Sequence, residues 1–173
     1  QKPSMAGLPI SLAIEPTTAC NLRCPECPSG LRNFTRPTGK LERSSFEKTI
    51  DEISSYSLYL TFYFQGEPYL NPDFLQMVKY AHQKKIYTAT STNAHFLSES
   101  IAEQTVLSGL DRIIISKDGT TQEVYEAYRK TCKLEKVLTG TQNIVAAKQK
   151  LKSATPAIVW QFLVVQPNEH QIE

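Results

Sequence analysis

The sequence predicts an α/β protein built on a parallel sheet, and three observations carry that reading. Short β-prone runs alternate with longer amphipathic stretches along the chain, the order that right-handed crossover units produce. The runs are apolar throughout rather than alternating, as strands are when both faces are covered. The 173 residues are 40% hydrophobic and 21% charged, enough for one core without disulfide staples. Periodicity alone leaves two architectures open, a doubly wound open sheet and a partial barrel.

Residues 10–15 (ISLAIE) form a short first strand running into a cysteine-bearing loop. Residues 28–43 carry Pro28, Gly30, Pro37 and Gly39 and read as a long ordered connection. Ser44 and Glu47 have capping-box spacing, followed by Phe46, Ile50 and Ile53 on one helical face. Residues 57–64 (SLYLTFYF) are aromatic and β-prone, a second strand. Asn71-Pro72 starts a helix with Phe74, Leu75, Val78 and Ala81 inward. Residues 86–91 give a third strand, and 98–107 a helix closed by Gly109. Residues 111–117 (DRIIISK) are the clearest strand. Thr120 and Glu123 are spaced as a second capping box, opening a short helix to Tyr128. A longer helix runs over 134–151 with Leu134, Val137, Leu138, Thr141, Ile144, Val145 and Leu151 on one stripe. Residues 157–165 (AIVWQFLVV) are a buried fifth strand. Residues 168–171 (NEHQ) look like a helix start cut at Glu173, as in a fragment of a longer protein.

The composition argues against disorder and low-complexity repeats. No apolar stretch approaches the ~20 residues of a membrane helix, and residues 1–15 lack a charged-then-apolar leader pattern. A net charge of +2 gives no reason to propose nucleic acid or an anionic membrane as partner.

Three of the four cysteines crowd into one segment, Cys20-Asn21-Leu22-Arg23-Cys24-Pro25-Glu26-Cys27, directly after the first strand. A secreted disulfide protein spreads an even set along a short chain, so this cluster points to metal or iron–sulfur ligation in a reducing cytosol. Thiolates are natural ligands of a [4Fe–4S] cluster. Three ligands for four irons leave one iron open to a substrate or cofactor, as an open position marks a catalytic zinc. A structural zinc site is the competing reading, with Cys132 a distant fourth ligand; the bland reading of Cys132 is a packed thiol.

At these residues the chain resembles the radical S-adenosylmethionine (radical SAM) enzymes, whose signature is CxxxCxxC after the first strand. Further segments match in order: Gln65-Gly66-Glu67-Pro68 resembles the GGEP motif, Ser91-Thr92-Asn93 the TNG segment, and Ile115-Ser116-Lys117-Asp118-Gly119 the ISLDG segment. Tyr125-Glu126-Ala127-Tyr128-Arg129 resembles the YxxYR stretch that follows. The likeness runs over roughly residues 10–170 and is nearest the branch with a C-terminal SPASM domain, which includes peptide-modifying and anaerobic sulfatase-maturating enzymes. It implies a partial, six-stranded (βα)6 barrel of TIM type, cut short after the fifth strand, with residues 1–173 an incomplete core domain. Each motif falls just after an expected strand, where such a barrel places its active site.

The resemblance also implies roles. Cys20, Cys24 and Cys27 would hold the [4Fe–4S] cluster. S-adenosylmethionine would chelate the open iron through its amino and carboxylate groups, and an electron from a flavodoxin- or ferredoxin-like reductant would cleave it. The resulting 5′-deoxyadenosyl radical would abstract hydrogen from a peptide, protein or small-molecule substrate; the cofactor does the hard step and the protein positions it. Gly66 and Glu67 would approach the methionine amino group, Ser116 the carboxylate or ribose, and Arg129 the carboxylate as a bidentate fork. Gln65 would reach the ribose and Asn93 would line the cofactor pocket; Leu163 or Val165, on the fifth strand, read first as core, with packing on the adenine the alternative. No substrate-reacting residue is identifiable.

Several positions depart from the family pattern. Glu26 stands where many members carry an aromatic residue, Gln65 replaces the first glycine of GGEP, Ala94 follows Asn93 in place of glycine, and Lys117 replaces a leucine. Tyr59, Tyr63 and Phe64 read as core, and His82, His95 and His170 as surface or packing residues, His95 being nearest the expected active face. The alternative to an enzyme is a non-catalytic iron–sulfur or zinc-binding module that recognises a partner.

Overall fold

The structure, a computed structural model, describes residues 7–172. Residues 1–6, part of the stretch read for a leader, and Glu173, at which the last helix start is cut, lie outside the described residues. Five strands, β1 (Ser11–Ala13), β2 (Tyr59–Thr61), β3 (Tyr87–Thr92), β4 (Arg112–Ser116) and β5 (Ala157–Gln161), pair in chain order, each parallel to the next. This order separates the two architectures. A doubly wound sheet reverses its strand order at a switch point, whereas barrel strands follow one another round. The sheet is a segment of a barrel.

Among the described residues six helices accompany it: α1 (Pro28–Leu31), α2 (Arg43–Ile53), α3 (Phe74–Gln83), α4 (Glu99–Leu107), α5 (Gln122–Tyr128) and α6 (Leu134–Lys150). Single 3₁₀ turns lie at Pro68–Leu70 and Glu169–Gln171. None of the described helices is long and apolar enough to cross a membrane.

The core lies between the outer face of the sheet and these helices. Leu60, Phe62, Ile113 and Ile115 from the sheet meet Phe46 and Ile50 of α2, Phe74, Met77 and Val78 of α3, and Val137 and Ile144 of α6, all buried. Phe62 is its centre, with ring centroids 5.5 Å from both Phe46 and Phe74. The inner face differs. Strand alternation and register put Tyr59, Thr61, Ser91, Ile114 and Val159 there, all only partly buried. The expectation of strands covered equally on both faces therefore gives way to one helix-covered apolar face and one inner face of mixed polar and apolar residues that no helix covers.

The elements differ from the sequence reading mainly at their ends. The first, second and fifth strands shorten to three, three and five residues. The connection over 28–43 contains α1, begun by Pro28 at the position where a missing N–H costs nothing. The Ser44 capping box is not used. An antiparallel bridge between Thr17 and Lys40, and a Leu41 N–H bond to Pro16 O at 2.9 Å, bring the chain into α2 earlier, with Glu42 as cap. The second box shifts by one residue: Thr121, not Thr120, accepts the Val124 N–H. Asn71 opens the turn into α3, its Oδ1 accepting the Asp73 N–H at 3.0 Å with Asp73 as the cap, while its Nδ2 braces loops by donating to Pro16 O (2.8 Å) and Leu41 O (3.0 Å). On α6, Leu134, Val137, Thr141 and Ile144 are buried, whereas Leu138 and Val145 face a shallow groove against Trp160.

Removing a fully buried ring from a packed cluster costs about 3–5 kcal/mol. Phe62→Ala is expected to lower the unfolding free energy by that amount in urea titrations, with the slope unchanged.

Candidate active site at the strand ends

The C-terminal ends of β1 to β4 and the end of α5 surround one pocket, lined by Cys20, Cys24, Cys27, Ser29, Tyr63, Phe64, Gln65, Gly66, Glu67, Ser91, Asn93, Ser116 and Arg129 among others. The residues that the sequence nominated for the cluster, and Gln65, Gly66, Glu67, Asn93, Ser116 and Arg129 nominated for the cofactor, are on this wall; Leu163 and Val165 are not.

The cysteine loop is clamped at both ends. Cys27 caps α1, its N–H bonded to Cys24 O at 3.3 Å and its carbonyl taking the Leu31 N–H at 2.8 Å. Arg32 ends α1 in the left-handed region, at φ 57°, and its guanidinium donates to Ser29 O (2.7 Å) and Cys20 O (2.5 Å). Gly30 packs flat on the loop, since a Cβ there would fall on the Cys24 carbonyl oxygen and amide nitrogen. Gly66, at φ +80°, likewise leaves no room for a side chain beside Thr17 O and Ala19 O. Its smallness is used against the first strand's loop.

Glu67 is fully buried, and its carboxylate is turned into the wall. It accepts from the Thr92 hydroxyl (2.7 Å), the Asn93 N–H (2.9 Å) and the Tyr69 N–H (3.4 Å). Burial pushes its pKa up to about 7, against the pull of those donors. Asn93 donates from Nδ2 to Asn21 Oδ1 at 2.8 Å and accepts from the His95 N–H at 3.1 Å. Gln65 lies against the cluster loop instead of reaching further into the pocket: its Oε1 is 3.2 Å from Ser29 Oγ and 3.6 Å from Cys27 Sγ.

Arg129 donates from Nε to Asp118 Oδ2 at 2.5 Å, and Asp118 has no solvent exposure. The rest of the guanidinium lies beside the Cys24 sulfur on the pocket wall. Asp118 also accepts the Leu163 N–H at 2.8 Å, and its carbonyl takes Asn168 Nδ2 at 2.8 Å. Ser116 is buried at the end of β4, with its carbonyl accepting the Tyr125 hydroxyl at 3.3 Å.

Some residues depart from their expected places. Leu163 and Val165 lie beyond β5, and Leu163 is 41% exposed. Phe64, read as core, is 79% exposed at the mouth of the pocket. Tyr59, also read as core, stacks on Tyr87 over the open inner face, centroids 5.2 Å apart. Ala94 takes φ 61°, which explains the family's glycine there. The supporting residues Ser29, Arg32, Asn21 and Asp118 carried no assigned role in the sequence. Only Asp118, inside a recognised motif, offered a signal.

Three thiols from one loop ring one pocket, yet among the described residues no three His, Cys, Asp or Glu side chains converge as a single metal ion requires. Thiolates of a cubane bind separate irons, so they must surround a volume and not meet at a point. The donor set therefore suits a cluster better than a mononuclear zinc. Burial pushes the Cys20 thiol up to about 11, only partly offset by the Leu22 N–H at 3.4 Å, and raises Cys24 despite the Arg129 guanidinium. Iron reverses this, because a coordinating thiol is deprotonated outright.

A partial parallel barrel with a three-thiol pocket at its strand ends defines a class of barrel proteins built to carry an iron–sulfur cluster. The family model described as "Radical SAM superfamily" matches residues 14–173, and the chain belongs to that superfamily, whose members use a [4Fe–4S] cluster and S-adenosylmethionine. The mycofactocin maturase MftC of Mycobacterium tuberculosis (strain CDC 1551 / Oshkosh) is 32% identical over 139 residues, 80% of this chain and 35% of that protein. The PqqA peptide cyclase of Ruegeria pomeroyi is 29% identical over 118 residues, 67% of this chain and 31% of that protein. Among solved structures, native anSMEcpe with bound AdoMet superposes with a TM-score of 0.70 at 21% identity, over 89% of this chain and 43% of that one. The chain thus spans about a third of the length of the curated relatives it matches.

Breaking one side of a buried ion pair costs about 3–5 kcal/mol. Asp118→Asn, which sets an amide against the Arg129 Nε–H, is expected to lower the unfolding free energy by roughly that amount in chemical denaturation.

Proposed function

We propose that this chain is the catalytic core of a radical SAM enzyme that generates a 5′-deoxyadenosyl radical to abstract hydrogen from a peptide or protein side chain. The observation that carries the reading is the convergence of Cys20, Cys24 and Cys27 with Arg129 and Ser116 on one pocket at the strand ends. The cluster, when bound, supplies the electron that breaks the sulfonium's bond to the 5′ carbon. The chain's own residues do the rest.

Cys20, Cys24 and Cys27 act as the three thiolate ligands. Arg129, already turned by Asp118 through Nε, offers its remaining guanidinium N–H groups to the cofactor carboxylate; a fixed fork favours that planar partner. Ser116 supplies a hydroxyl from the end of β4. Glu67 and Asn93 serve the cofactor by position, since their polar atoms hold the wall together and fix where the backbone after Gly66 runs. Gln65 serves the cluster side, next to Cys27. The open inner face of the sheet is the surface left for substrate. Names of relatives that are a maturase and a peptide cyclase support the peptide class. A flavodoxin- or ferredoxin-type protein is the proposed reductant and the cytoplasm the proposed compartment, as an oxygen-sensitive cluster and reduced thiols require.

The full protein, reconstituted anaerobically with iron and sulfide and given dithionite and S-adenosylmethionine, is expected to release 5′-deoxyadenosine. Cys24→Ala should lose both iron and product. Intact cluster without 5′-deoxyadenosine would sink the catalytic reading, and about one zinc per chain without sulfide would favour a zinc-binding module. Arg129→Lys should hold its iron but bind S-adenosylmethionine roughly tenfold more weakly, the loss expected when a charge-assisted bond worth about 1.5–3 kcal/mol is weakened; equilibrium binding to the reconstituted protein measures it.

A further inference from the structure

His95 lies behind the pocket wall, touching none of the three cysteines of the loop, yet its ring joins three segments that build that wall. Its Nδ1 is 2.9 Å from Asn93 Oδ1. At the other side of the ring the Lys133 N–H donates to Nε2 at 3.1 Å, and Cys132 Sγ is 3.3 Å from the same nitrogen. A backbone N–H can only donate, so Nε2 accepts and the ring proton sits on Nδ1, where it donates to Asn93 Oδ1. That bond orients the Asn93 amide, whose Nδ2 then donates to Asn21 Oδ1 at 2.8 Å. Asn21 is the residue that follows Cys20. Burial, with the Lys136 ammonium nearby, lowers the His95 pKa and keeps the ring in the neutral form that this chain of bonds needs.

The segment held at the far end is the turn over 129–133, which carries Arg129 at one end and also accepts the Arg23 N–H on Lys130 O at 3.1 Å. The cysteine loop is thus tied to the turn three times: directly through the Arg23 N–H, directly through the Thr131 hydroxyl donating to Asn21 O at 3.5 Å, and through the side chains of His95, Asn93 and Asn21.

We propose that His95 is a positioning residue that sets the cysteine loop, through Asn93 and Asn21, against the turn bearing Arg129, so that cluster retention depends on a side chain that never touches the cluster. The inference rests on the reading of Cys20, Cys24 and Cys27 as cluster ligands. It gives Cys132 a supporting place beside the ring, and assigns it no ligand role.

The test uses the full protein reconstituted anaerobically, with two readouts: the rate of iron loss to a chelator, and the electron paramagnetic resonance spectrum of the reduced cluster. Outer partners of metal ligands typically change affinity by roughly 10–100-fold. His95→Leu is expected to lose iron faster by a factor in that range and to alter the spectrum. His95→Gln, able to donate and accept at the two ends, should restore most of the retention. Asn21→Ala breaks the same relay from the loop side, and it tests the proposal even if the leucine variant does not fold. The double variant His95→Leu/Asn21→Ala should lose iron no faster than the worse single variant, because both cut one connection. Cys132→Ala should hold iron nearly as the unaltered protein does.

Unchanged iron loss and an unchanged spectrum in His95→Leu would overturn the proposal, as would additive effects in the double variant. Iron loss in Cys132→Ala equal to that of His95→Leu would overturn it in favour of Cys132 as a ligand. Failure of the unaltered protein to take up a cluster would instead overturn the ligand reading, and the inference with it.

Discussion

The buried pair of Asp118 and Arg129 is the interaction on which the site's geometry turns. A carboxylate with no solvent exposure is stable only when its lone pairs are spoken for. Asp118 has Arg129 Nε on one oxygen and the Leu163 N–H on the other. These partners belong to the end of α5 and to the segment beyond β5, so one side chain at the end of β4 joins three parts of the chain. Gly119 completes the arrangement. A Cβ there would fall on the Tyr125 backbone, so α5 can lie close enough for Arg129 to reach Asp118 only with glycine at that turn. The two adjacent residues thus do separate physical jobs in one contact.

The pocket's electrostatics follow from how little positive charge the wall supplies. Arg129 is its one cationic side chain among the lining residues, and Asp118 already engages it. Glu67, near neutrality at about 7 through burial, and the burial-raised Cys20 and Cys24 all show the cost of adding negative charge here. Three thiolates would be expensive in this pocket unless a multiply charged cation arrived with them, which is what iron does. Burial thus favours the thiol form of Cys20 and Cys24, and a bound metal the thiolate.

Elements defined by one residue's chemistry were legible in the sequence. The cysteine segment directly after the first strand, the start of α4 at Ser98 and Gly109 at its end stand where the sequence places them, because each depends on local geometry. What the sequence misplaced was decided by partners far along the chain. The Ser44 capping box is overruled by Lys40 and Leu41 pairing with Thr17 and Pro16, and Asn71 spends its amide on those same loops. Phe64 looks like core in an aromatic run, yet lies exposed because β2 ends at Thr61 and the chain has already turned toward the pocket. His95 and Asn21 are ordinary polar residues until the fold brings them to one relay, and no local pattern marks them. The barrel was decided by strand order, which periodicity does not carry.

Five strands do not close a barrel by backbone pairing, yet the loops at their ends are joined nearly all the way round. The Glu67 N–H bonds Ala19 O, linking the second strand's loop to the first at 2.8 Å. The Glu67 carboxylate links it onward to Thr92 and Asn93 after β3. Asn93 reaches back across the pocket to Asn21, and His95 reaches forward to the turn before α6. Asp118 carries the connection from β4 to α5 and to Leu163 after β5. Loops are ordinarily the most mobile part of such a fold. Here the cysteine loop (20–27) is held from outside by Asn93 on Asn21, by the Arg32 guanidinium on Cys20 O and by Lys130 O on the Arg23 N–H, so its shape is set by its surroundings as well as by its own residues. That places the geometric demands of a cluster on the strand ends and the rigid sheet behind them, apart from the open inner face.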